Sequence, residues 1–147
     1  MTYPNWFEIT AKHNFETYLA EFKEPELFEY LREKYYSDLE KSEEFDNWDC
    51  ISLESKMFIE LKSRKTHYPD LLIEESKYQG LILAAGIRSL TPWYINSTPD
   101  GVWGFNLTEI PQPKWEDKWL PITTEFENRT KRTKLVGFLK LEDGIVF

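Results

Sequence analysis

Between Asp49 and Lys62 the chain reads DCISLESKMFIELK, and its second half alternates in a way that only a strand accommodates. Side chains along a strand point to opposite faces of the sheet in turn. Met57, Ile59 and Leu61 therefore share an apolar face, while Glu60 and Lys62 share the other. Any fold for this sequence must give that strand one dry side and one side on which charge survives. Two strands are expected, Asp49 to Glu54 and Met57 to Lys62, with Ser55-Lys56 as the connection. Neither of these residues favours the positive φ of the tight hairpin turns, so the pairing rests on a count outward from the turn. That count sets Glu54 opposite Met57, Ile51 opposite Glu60 and Asp49 opposite Lys62, and puts Asp49, Glu60 and Lys62 in one patch.

Charge in a patch of this kind is costly to bury unless it is paired or bound to a metal. Two carboxylates and an ammonium on one face suit a divalent cation. Hard oxygen ligands select Mg²⁺ or Mn²⁺, which lower the pKa of a bound water and neutralise charge on phosphate oxygens. A fixed ammonium beside them can orient or deprotonate the attacking water and stabilise the transition state of phosphodiester hydrolysis. The competing structural account is an amphipathic edge strand whose wet face carries an Asp49–Lys62 ion pair worth a few tenths of a kcal/mol.

The 147 residues are the size of a single domain, 1–147, and 41% hydrophobic residues with 16% aromatics supply a core. The lone cysteine, Cys50, excludes an internal disulfide and a thiolate zinc cluster. No apolar run reaches the length of a membrane span, and MTYPNWFEIT lacks the basic and apolar regions of a signal peptide, which predicts a cytoplasmic protein with no membrane association. The net charge of −8 excludes nucleic-acid coating by bulk electrostatics. Its distribution is uneven, with −9 on residues 1–60 and +1 on residues 61–147, and the basic residues gather in KSRKTH (62–67) and RTKRTK (129–134). Either cluster can meet a phosphate backbone locally.

Phe15, Tyr18, Leu19 and Phe22 lie at helical spacing over 11–22, and Leu27, Phe28, Leu31, Tyr35 and Leu39 continue a second stripe from Pro25 to about residue 41. After Pro69, LLIEESKYQGLILAAGI predicts a third helix with Leu72, Ile73, Tyr78, Leu81, Ile82 and Ala85 inward and Gly86 as terminator. PWYINS and VWGFNL read as strands around the turn TPDG, residues 111–119 as irregular, and KLVGFLKL as a last strand before the turn EDG. The order is α-α-β-β-α-β-β-β, an α/β arrangement with a mixed sheet flanked by helices.

An aspartate beginning one strand, ten residues, then Glu60-Leu61-Lys62 on the next resembles the signature of the PD-(D/E)XK nuclease superfamily, with its restriction-endonuclease-like fold. The resemblance covers roughly Asn14 to Leu107. It implies Asp49 and Glu60 as metal ligands, the Leu61 carbonyl as a third, Lys62 as the catalytic lysine and Mg²⁺ or Mn²⁺ as cofactor. It also implies a glutamate from a preceding helix, for which Glu16 is the candidate and Glu29 and Glu33 are rivals. The literal proline of the signature is absent, since Trp48 precedes Asp49, and Asp46 competes with Asp49. Arg64, Lys65, Lys77 and Gln79 are the candidate DNA contacts, and DNA is the implied partner, with branched or single-stranded DNA as candidate substrates. A homodimer or a replication or recombination protein completes the expected partners. The alternative from a different class is a non-catalytic assembly module on the same fold, docking a basic protein on its acidic face.

Overall fold

The computed structural model describes residues 23–42, 48–121 and 131–147, and the expected helix over 11–22 lies outside them. In chain order come α1 (Glu24–Lys34), β1 (Glu40–Lys41), β2 (Asp49–Ser52), β3 (Met57–Ser63), β4 (Asp70–Glu74), α2 (Glu75–Ile87), β5 (Thr91–Thr98), β6 (Gly101–Asn106), β7 (Glu116–Pro121), β8 (Lys131–Lys140), a 3-10 turn at Leu141–Asp143 and β9 (Ile145–Val146). Six strands form a mixed sheet in the order β1-β2-β3-β5-β6-β9, and β4-β8-β7 form a second sheet. The class is mixed α/β, as expected, but the order of elements is not the predicted one.

β3 and β5 are the one parallel pair of the large sheet, and the chain between them runs through β4 and α2. Parallel neighbours need such a crossover, because no tight turn can join them. α1 covers one face of the sheet, where Leu27, Phe28 and Leu31 pack with Cys50, Met57, Ile59, Leu61 and Ile95. The opposite face carries Phe58, Tyr94 and Phe105 and is covered by Tyr78, Leu81 and Ala85 of α2 and by Leu71, Ile73 and Leu139 of the second sheet. β3 is thus buried on both faces, and the charged side of its alternation lies on the α2 face, between layers rather than in open water.

Four expectations are corrected. The second helix stops at Lys34, and Leu39 leads into β1. The third helix begins at Glu75, because Asp70–Glu74 pair with β8 as a strand; five residues with Leu71 and Ile73 inward satisfy a strand's period as well as a helix's. Gly86 lies within α2, whose terminator is a Schellman motif: Ser89 N–H donates to the Gly86 carbonyl, Leu90 N–H to the Ala85 carbonyl, and Ser89 takes the left-handed conformation at φ 56°. Finally, residues 116–121 are not irregular but form β7, paired to β8 with Trp119 opposite Thr133. The hairpin of β5 and β6 closes at Thr98 and Gly101, as TPDG predicts, with Gly101 at φ 150°, a conformation that costs a side chain strain. Among the described residues no helix is long and apolar enough to cross a membrane.

Candidate functional site

The hairpin that carries the charged patch is held by a side chain from outside it. Asp38 accepts hydrogen bonds from the Ser52 hydroxyl at 2.7 Å and the Glu54 N–H at 2.9 Å, and these donors hold its carboxyl below the usual carboxylate range. The connection spans Leu53 to Lys56, with Lys56 N–H donating to the Leu53 carbonyl and Lys56 itself at φ 55°. This four-residue turn sets Ser52 opposite Met57, Cys50 opposite Ile59 and Asp49 opposite Glu60. The expected register, with Asp49 opposite Lys62, is therefore two residues out. A slip of two leaves every side chain on its expected face, whereas a slip of one would have inverted them.

The corrected pairing brings the carboxylates closer than the expected one did. Leu61 N–H donates to the Trp48 carbonyl, and Ser42 N–H donates to the Asp49 carbonyl, so the backbone groups of Asp49 point away from β3. Asp49 and Glu60 consequently occupy a non-hydrogen-bonded position of the ladder, where facing Cα atoms approach to about 4.5 Å and side chains lie closest. Because a residue's N–H and C=O point to the same side of a strand, the Leu61 carbonyl also faces the β2 side, toward Trp48.

Both carboxylates are about 9% exposed. Burial raises the pKa of each, opposed by the Lys77 ammonium; for Glu60 the charge of Asp49 adds to the rise. Lys77, from the first turn of α2, sets its Nζ 3.4 Å from Glu60 Oε1. Lys62, half-buried and two residues further along the same face, has its pKa lowered, first by burial and then by the Arg64 guanidinium, with Glu24, Glu60 and Glu74 acting against both. Lys62 faces Asn96 across the parallel pair as Glu60 faces Tyr94.

Arg64 is not offered to solvent. Its guanidinium donates to Asn96 Oδ1 at 3.1 Å, to the Tyr94 hydroxyl at 2.9 Å and to the Leu72 carbonyl. The Tyr94 phenol is pushed up to about 12, mainly by burial, and stays protonated at neutral pH. Asn96 is fully buried, and its Nδ2 has no hydrogen-bond partner among the described residues. Of the other candidate DNA contacts, Lys65 and Gln79 are exposed. Glu16 and Asp46 lie outside the described residues, Glu33 is exposed, and Glu29 is held by Arg32 through two hydrogen bonds of 2.8 and 2.6 Å. Among the described residues, the α1 glutamate that acts on Lys62 is Glu24. It accepts a hydrogen bond from Ser63 N–H at 3.3 Å, and its charge acts on Lys62. Its position at the start of α1, just before Pro25, was the available signal: the helix begins where β3 ends.

Cys50 sits on the opposite face, fully buried, with its thiol pushed far up by burial, as befits a packing residue rather than a nucleophile. Among the described residues no group of three or more His, Cys, Asp or Glu side chains is arranged to hold a metal ion, so the carboxylate donors of the patch are the Asp49–Glu60 pair. The chain matches no family model, no curated protein and no solved structure.

Proposed function

We propose that this protein is a divalent-metal-dependent nuclease of the PD-(D/E)XK type that hydrolyses DNA phosphodiester bonds. One observation carries the proposal: Asp49 and Glu60 are direct cross-strand partners, nearly buried, with Lys62 on the same face of the same strand. The donor chemistry fits a hard dication. Two carboxylates lie where burial disfavours their charge, and the neighbouring ammonium of Lys77 offsets this only in part. Asp49, Glu60 and the Leu61 carbonyl would hold Mg²⁺ or Mn²⁺. When bound, such an ion acidifies water and screens the phosphate.

The remaining chemistry belongs to the chain. Lys62 is held in a partly buried position where the neutral amine is favoured more than in water, which suits a group that takes a proton from the attacking water and returns as a cation beside the developing phosphorane charge. Arg64, fixed by Tyr94 and Asn96, holds the strand end carrying Lys62 against β5 and contributes the nearby positive charge. Lys65 and Gln79, both exposed, remain the candidates for phosphate contacts outside the site. With a net charge of −8, specificity rests on DNA structure or a guiding partner rather than on base reading, so branched and single-stranded DNA are the preferred substrates to try.

The test is incubation with plasmid, single-stranded and branched DNA in Mg²⁺, Mn²⁺ or EDTA. The proposal expects cleavage that needs the metal and is lost in both Glu60→Ala and Lys62→Ala. Absence of metal-dependent cleavage on every substrate, or cleavage unaffected by both substitutions, would overturn it.

A further inference from the structure

We propose that Lys77 is the built-in counter-ion of the Asp49–Glu60 pair and competes with a divalent cation for it. The inference rests on the nuclease reading of that pair and adds a mode of control to it. Lys77 sits 3.4 Å from a Glu60 oxygen, with its side chain 42% exposed while that of Glu60 is 12% exposed. The carboxylate is enclosed and the lysine is not. Tyr78 and Leu81, buried behind it, anchor the first turns of α2 against the sheet, so the helix keeps its place whether or not the lysine stem swings out. A four-carbon stem already half in water loses little packing on doing so.

Mg²⁺ bound to Glu60 would need a carboxylate oxygen at about 2.0–2.1 Å. An ammonium on the same oxygen would then face a dication at a few ångströms, in a partly buried place where repulsion is poorly screened. A cation on Oε1 and the ammonium thus compete for the same oxygen. Lys77 therefore offsets part of the pair's charge and raises the cation concentration needed to fill the site. Lys62 does not duplicate this role, because it lies two residues further along the strand and answers to Glu24 and Glu74 as well.

The experiment measures Mn²⁺ binding to the full chain without DNA, by calorimetry or by the electron paramagnetic resonance of free Mn²⁺, in wild type, Lys77→Met and Lys77→Arg. Thermal unfolding checks that the variants are folded. Competition predicts binding about tenfold tighter in Lys77→Met, equivalent to about 1.4 kcal/mol, with Lys77→Arg within about twofold of wild type. Equal affinity in all three, or weaker binding in Lys77→Met, overturns the competition and leaves the metal site standing. Absence of Mn²⁺ binding in every form overturns both the competition and the nuclease reading.

Discussion

Replacing Glu60 by glutamine should abolish cleavage and, in the absence of divalent metal, make the protein more stable. Glutamine keeps the volume and removes the charge. The ion pair lost with Lys77 is long, at 3.4 Å, and open on the lysine side, so it is worth about 0.2–1 kcal/mol. Against it stands the desolvation of a carboxylate that is about 9% exposed, the largest influence on its pKa. Because the folded-state pKa lies above the usual one, the environment as a whole disfavours the ionised form. A carboxyl with a raised folded pKa binds its proton more tightly in the folded state than in the unfolded one. Its contribution to stability is therefore full at low pH and declines as the pH rises above about 4.3 and through the folded pKa. At pH 7 Glu60→Gln should gain about 0.5–2 kcal/mol, the usual scale of a single stabilising substitution, which raises Tm by about 2–6 °C for a chain of this size. Thermal unfolding followed by circular dichroism in EDTA measures this at pH 7 and again near pH 4, where the difference should shrink. A loss of about 3 kcal/mol or more at pH 7 would refute the reasoning, since that is what breaking a buried structural ion pair costs.

Three further outcomes are expected. Lys62→Met should lower the cleavage rate about 10²–10⁴-fold while leaving Mn²⁺ affinity within a few-fold of wild type, read by single-turnover kinetics beside calorimetry, because Lys62 acts in proton transfer and not as a ligand. Ser89→Gly should stabilise the protein by about 0.5–1 kcal/mol in chemical denaturation, since it relieves a side chain held at φ 56° at the end of α2. Ile59→Ala should cost about 2–5 kcal/mol, because Ile59 is fully buried at the centre of the sheet and its neighbours Cys50 and Ile95 belong to strands that cannot close the cavity.

The face that carries the site was legible in the sequence because strand alternation is a matter of parity, and Met57, Ile59 and Leu61 leave no other face for Glu60 and Lys62. The register was not, because it depends on Lys56 adopting a positive φ, which a lysine does not announce, and on Asp38 gripping Ser52 and Glu54 from fourteen and sixteen residues upstream. LLIEE reads as helix because three apolar residues followed by two glutamates suit either period; the pairing partner that decides the matter, β8, lies some sixty residues further on. Glu24 was missed for the same kind of reason. Pro25 marks the start of its helix in the sequence, but its place against Ser63, at the end of β3, is a tertiary contact that the local pattern does not reveal. Arg64 reads as a surface base in KSRKTH, yet Tyr94 and Asn96, brought alongside by the parallel pairing of β3 with β5, take it inward.

The most direct measurement is the anomalous scattering of crystals soaked in Mn²⁺, recorded for wild type and for Glu60→Gln. A peak bridged by the side chains of Asp49 and Glu60, with the Leu61 carbonyl alongside and no peak in the variant, is the predicted result. A wild-type map empty at that position at millimolar Mn²⁺, with Lys77 still on Glu60, would contradict the account.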